Sequence, residues 1–402
     1  MLNRRLLRIK VMQALYGYQQ AVAADLLLAQ DRIAAAFEPD LRADVAPDRR
    51  LLEGQRKLGE AQLREWHRTG ELPETSGDEA EDKAVAEAVR DAADYYQKLV
   101  QKETTFHAGQ LLHGAESIHD QYLHLLNMPA ALLEVITEDN EREARRFTGP
   151  RFEAATARLF GNAAVAKLLG NEQLQQSTIR RKLQWTDAEE REALREAWQK
   201  EIKPDETVQA YLAGRNTNLD ATDYETDLEL LRHLYKDFVF RGEALPRWLE
   251  SSDVNWEENR PIVRNLVLKT LKMLPFEATE KQELMNLSAN WDDDREFAET
   301  LYKQTLEDDA KAEKLIADST ENWDVERVAL LDKIILKMAL TEMQLFRGIP
   351  VKVTINEYIE ISKVYSTPKS KQFVNGILDK LAQDLAASGE IRKSGRGLMD
   401  NQ

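Results

Sequence analysis

Apolar residues recur every three or four positions along almost the whole chain, and strand-like alternation is nearly absent. The best strand candidate, Val351-Lys352-Val353-Thr354-Ile355, is only five residues long. Turn formers are scarce as well, with 17 glycines and 11 prolines in 402 residues. That combination predicts an all-α fold made of long helices. Hydrophobic residues supply 43% of the chain, enough for a sizeable core, and the length allows two or three domains at roughly 150 residues each.

Composition then removes whole classes of chemistry. With no cysteine there is no disulfide, no thiol nucleophile and no Cys-ligated metal centre. No phosphate-binding glycine loop, nucleophile elbow or HExxH metal motif occurs. His107, His113, His119 and His124 are spaced six, six and five apart, so on a helix they point in different directions and do not form a metal site. Neither a catalytic residue nor a cofactor is expected. No segment approaches 18 uninterrupted apolar residues, so no membrane span is expected. The N-terminal run is broken by Arg8, Lys10 and Gln13 and lacks a small-residue cleavage pattern, so a cytoplasmic location is expected.

Residues 3–24 read as one amphipathic helix with Leu7, Val11, Ala14, Leu15 and Tyr18 on one face. Residues 38–90 read as irregular, and within them Glu71 to Asp82 carries six acids and no base, the pattern of a solvated excursion. A helical stretch follows over 91–290, with breaks at Thr148-Gly149-Pro150, Lys203-Pro204-Asp205 and Leu245-Pro246. Residues 296–387 hold the clearest helical pattern, and 388–402 read as a frayed tail. Asn-Trp-acid recurs at Asn255, Asn290 and Asn322, which reads as repeated helix starts and not as a solenoid, because the residues between do not repeat.

The net charge is −16, so a nucleic acid can be held only by a local basic patch. Two helix starts supply one. Arg4, Arg5, Arg8 and Lys10 open the first helix with no acid before Asp25. Cations there oppose the helix dipole by about 0.3–1 kcal/mol each. At 100° per residue, Arg4, Arg5 and Arg8 share an arc of about 100° beside the apolar stripe, suited to phosphates. Lys369 and Lys371 likewise open the last helix.

Between them, a helix over 323–347 runs Val328, Leu331, Ile335, Met338 and Leu345 along one stripe, interrupted by Glu342. A carboxylate in that place needs a partner or water. Gly348-Ile349-Pro350 stops the helix. Thr354 and Glu357 read as a capping box opening the next one, and Thr367-Pro368 as the cap and first position of the last. There Phe373, Ile377, Leu381 and Leu385 form a buried side, which should pack against Leu7, Val11 and Leu15.

The run from Glu296 to Leu385 resembles the C-terminal half of a NusB-type transcription antitermination factor. The resemblance rests on Leu340-Thr341-Glu342, on Ile349-Pro350 followed by Ile355-Asn356-Glu357, and on Phe373-Val374-Asn375-Gly376-Ile377-Leu378-Asp379-Lys380. Arg4-Arg5-x-x-Arg8 with Met12-Gln13-Ala14-Leu15-Tyr16 is similar to that family's first helix. The resemblance implies two small three-helix bundles, here formed by residues 1–24 and 296–387, with the middle of the chain as a helical extension. It also implies binding of single-stranded boxA-type RNA, together with the ribosomal small-subunit protein NusE, in the RNA polymerase antitermination complex. By position, Arg4, Arg5, Arg8, Lys371, Gln372 and Phe373 would contact RNA, and Tyr16 and Glu342 the protein partner. Compact members often carry an acid before the Phe-Val-Asn step, whereas this chain has Ser366-Thr367-Pro368-Lys369-Ser370-Lys371. Two other classes compete. An RNA cytosine methyltransferase with such a domain would need a cysteine and a βαβ cofactor fold, which this chain lacks. A helical protein-binding scaffold without RNA binding is the remaining alternative.

Overall fold

A computed structural model describes residues 2–39, 48–72, 80–146, 152–214, 221–319 and 328–401. Helix makes up 81% of the described residues, and no strand occurs among them. The five-residue strand candidate lies inside a helix. Asn322-Trp323-Asp324, the expected start of the helix at 323, the Thr148-Gly149-Pro150 break and the middle of the acidic run lie outside the described residues.

The N-terminal stripe forms α1 (Arg4–Ala36), which runs on well past residue 24. Helix α2 (Arg49–Thr69) occupies much of the stretch that reads as irregular. Its charges mask a clear helix logic. Asp48 accepts from the backbone of Arg50 and Leu51, and Gly70, at φ 78°, closes the other end in a left-handed cap. Between the caps Gly59, Leu63 and Trp66 bury one face among Ile33, Val85, Val89 and Tyr96. Helix α3 (Ala80–Leu126) follows. Shorter helices come next: α4 (Met128–Arg146), α5 (Phe152–Phe160), α6 (Ala163–Leu169), α7 (Glu172–Arg181), α8 (Ala188–Ala197), α9 (Glu206–Ala213), α10 (Ala221–His233), α11 (Ala244–Ser252) and α12 (Trp256–Lys272). The chain then forms α13 (Trp291–Glu307), α14 (Asp309–Ser319), α15 (Leu330–Leu345), α16 (Val351–Tyr365) and α17 (Ser370–Ala387).

Two compact units result: Met1–Leu6 with Gly114–Asp294, and Leu7–His113 with Arg295–Gln402. The first is organised around buried aromatics, several of which spend their polar ends on internal partners. Tyr122 Oη lies 2.6 Å from Thr270 Oγ1, Tyr235 donates to the Leu125 carbonyl at 2.8 Å, and Trp198 donates to Asp139 at 2.9 Å.

In the second unit α15 is the central rod, buried without a break from Ile334 to Met343. Helices α14, α16 and α17 pack around it. Leu7, Val11 and Leu15 of α1 are buried here, as are Ile377, Leu381 and Leu385 of α17. Each such side chain contributes roughly 1.5–3 kcal/mol. Leu15 and Gln19 share the lining of a pocket of about 250 Å³ with Leu306, Asp309, Ile334 and Lys337, so α1 is seated on the C-terminal helices. The stretch read as a frayed tail is tied down over residues 393–401: Ser394 N–H donates to the Arg347 carbonyl at 3.0 Å, Lys393 to that of Phe346 at 3.1 Å, and Gly395–Asn401 form a 3-10 turn.

Candidate nucleic-acid interface

Helix α1 begins with Asn3, whose side chain accepts from the Leu6 N–H at 2.9 Å. Arg4 and Arg5 in this first turn are exposed, with Arg4 Nε 3.8 Å from Asp294. Leu6, Leu7 and Arg8 turn inward. Helix α17 starts in the same style. Ser370 is buried and donates to Asp332 of α15 at 2.7 Å, while Lys369, Lys371 and Gln372 are exposed and Phe373 is half-buried. Neither helix has an acid in its first turn. The helix opens at Ser370, not at Pro368, and Thr367 serves it by accepting the Ser370 N–H on its carbonyl.

Arg8 and Glu342 are placed differently from the sequence expectation of an RNA contact and a partner contact. Glu342 is 0% exposed and Arg8 3%. Arg8 donates through Nε to Glu342 Oε2 and through Nη2 to Oε1, both at 2.7 Å. Thr354 donates to Oε1 at 2.9 Å and Tyr358 to Oε2 at 3.1 Å. Four donors from α1 and α16 thus saturate one carboxylate on α15. Glu357 Oε2 lies 3.7 Å from Arg8 Nη1, and the guanidinium sits over the Phe297 and Tyr358 rings at 5.5 and 5.9 Å. Burial by itself would lower the Arg8 pKa, but the hydrogen bonds and charge of Glu342 outweigh it and raise it above the ordinary value. Burial, and then the charge of Glu342, pushes the Tyr358 phenol well above its usual range. The interrupted stripe on α15 is therefore an internal clamp.

The capping-box reading fails for the same reason. Helix α16 starts at Val351 with Pro350 at its cap, and Thr354 lies a full turn inside, fully buried. Its hydroxyl is spent on Glu342. The sequence held a signal for this: Thr354 and Tyr358 are four apart, so they share one helical face and offer two hydroxyls to an acid on a neighbouring apolar stripe. Lys337 is another polar group that sequence reasoning passed over. It is 7% exposed and is held by Asp309 at 2.8 Å and by Glu313.

Tyr16 of α1 is 41% exposed. Of the four histidines, His119 lies 3.2 Å from the Met285 carbonyl and His124 stacks on Trp185 at 4.7 Å. Among the described residues no three His, Asp or Glu side chains gather where a metal could sit, and no helix is long and apolar enough to cross a membrane.

The model of the NusB family matches residues 261–383, from α12 into α17. A transcription antitermination protein NusB from Geobacter sulfurreducens is 35% identical over 135 residues, which cover 32% of this chain and 98% of that protein. Its counterpart from Salinibacter ruber is 44% identical over 105 residues, 26% of this chain and 66% of the relative. The one from Chloroherpeton thalassium is 48% identical over 85 residues, 21% of this chain and 40% of the relative. The match thus spans just under two thirds of the Salinibacter protein and less than half of the Chloroherpeton one. No solved structure matches the chain significantly. Glu342, Thr354 and Tyr358 of the clamp and the basic start of α17 lie within the matched residues, and the chain belongs to the NusB family.

Proposed function

We propose that the chain is an RNA-binding transcription antitermination factor. The observation that carries this reading is the pair of exposed cationic helix starts, Arg4–Arg5 and Lys369–Lys371, in a chain of net charge −16. An acidic protein has many carboxylates to place at helix N-termini, where they stabilise; leaving the starts of α1 and α17 basic costs stability and favours a bound polyanion. Arg4, Arg5, Lys371, Gln372 and Phe373 contact the RNA, the cations on phosphates and the ring of Phe373 against a base. Arg8 and Glu342 act one step behind, holding α1 on α15 and α16. The RNA is of the boxA type, and Tyr16 meets the ribosomal small-subunit protein NusE within the polymerase antitermination complex. These are the roles of a cytoplasmic protein with no cofactor and no catalytic step.

The test is a fluorescence-anisotropy titration of the full chain with boxA-type RNA and with a scrambled RNA of equal length, each with and without the ribosomal protein. Binding should prefer boxA, tighten with the ribosomal protein and weaken with salt, log K falling by about 0.7 per phosphate neutralised. Binding of the ribosomal protein with no RNA affinity under any condition would replace this reading with the protein-binding scaffold.

A further inference from the structure

Helix α2, outside the residues that the family model matches, carries a second cationic row. Helix α2 holds six Arg or Lys against three Glu, a net of +3 within a chain of −16. Its buried face is Gly59, Leu63 and Trp66. On the opposite side Arg50, Lys57 and Arg64 follow one another at seven-residue intervals, and Arg68 joins them one turn later. At 100° per residue the four fall within an arc of about 40°, and successive members of the heptad are about 10.5 Å apart along the axis. All four are exposed. None packs into the core.

Its charges are also available. Arg50 and Arg64 have no side-chain partner among the described residues. Lys57 pairs with Glu53 at 2.7 Å and Arg68 with Glu65 at 2.5 Å, but both are exposed pairs within one helix that salt screens and a phosphate can displace. Three of the four are arginines, whose fork suits two phosphate oxygens at once. Gly54 and Ala61 lie 20–40° to one side of the row, leaving a shallow strip where a backbone can run. Beyond them Leu51 and Leu58, 39% and 45% exposed, offer apolar surface to bases.

We infer that the outer face of α2 is a second phosphate-binding surface, which takes up single-stranded RNA flanking the segment held at the cationic helix starts. The inference rests on the RNA-binding reading above. RNA is favoured over an acidic protein because the strand held there carries its next phosphates on the same molecule, at high effective concentration. The reach sets a length. Gly59 of α2 packs on Ile33, where a Cβ would lie 2.9 Å from the isoleucine side chain. Ile33 is about 37 Å along α1 from Arg8. A strand advancing about 3.4 Å per nucleotide needs about 11 nucleotides to cover that distance.

The experiment compares the full chain with Arg50→Gln/Lys57→Gln/Arg64→Gln, using a ~12-nucleotide boxA-type RNA and the same element extended to ~30 nucleotides by unstructured flanks. Gln is a good helix former at exposed positions, and circular dichroism checks that helix content is kept. A control, Lys200→Gln/Lys303→Gln/Lys314→Gln, removes the same charge from exposed positions elsewhere. The long RNA should bind the unaltered chain more tightly and with a salt slope steeper by about two units. The α2 variant should lose that increment, about tenfold in affinity, and bind the short RNA as before; the control should keep it. Equal binding of the long RNA by the α2 variant, or equal loss in the control, overturns the inference while leaving RNA binding at the helix starts intact. No binding of either RNA by the unaltered chain removes both readings together.

Discussion

Glu342→Ala lowers the unfolding free energy of the helices around α15 by about 3–5 kcal/mol. The cost is large because the substitution does more than delete one interaction. It leaves the Arg8 guanidinium, 3% exposed, without its counter-charge, and strands the hydroxyls of Thr354 and Tyr358. An exposed partner contact would cost almost nothing. Replacing both ions, as in Arg8→Met/Glu342→Leu, should restore the part of the loss that comes from the unpaired guanidinium, since a buried pair is often matched by apolar residues of similar volume. Urea unfolding of the full chain and both variants measures this. A loss below about 1 kcal/mol for Glu342→Ala would mean that the clamp is not formed.

Trp66→Ala costs about 3–5 kcal/mol locally and releases α2. Trp66 is 7% exposed, meets Tyr96 edge-on at 5.9 Å, and belongs to the core that joins α2 to the far half of α1 and the near half of α3. That core is short, so few neighbours can fill the hole. Amide hydrogen exchange should lose protection along Arg49–Thr69 first, with α15 unchanged. Retained protection on α2 would show that Leu63 and its contacts hold the helix without the tryptophan.

The all-helical architecture was legible because periodicity alone excludes strands, and the burial of Leu7, Val11 and Leu15 followed from a stripe too apolar to leave in water. What escaped the sequence was partnership across distance. Glu342 reads as out of place on its stripe, but its main donor is 334 residues away, and no local pattern says whether an unexpected carboxylate faces a partner or a buried arginine. Arg8 was grouped with Arg4 and Arg5 by helical angle. The inner edge of that arc is core. Helix α2 was hidden by its charge content, although Asp48, Gly70 and the spacing of Gly59, Leu63 and Trp66 mark both ends and the buried face. Thr354 looked like a cap because threonine three residues before glutamate also occurs well inside helices.

On the proposed function, Arg4, Arg5 and Lys371 touch RNA while Arg8 and Glu342 only hold the helix that carries the two arginines. The salt dependence of boxA-type RNA binding separates the two roles. Arg4→Gln/Arg5→Gln/Lys371→Gln should stay folded and lose about two units of slope in log K against log salt. Arg8→Met/Glu342→Leu should keep the full slope. A slope that survives the first set of changes, or that disappears with the second, would contradict the account.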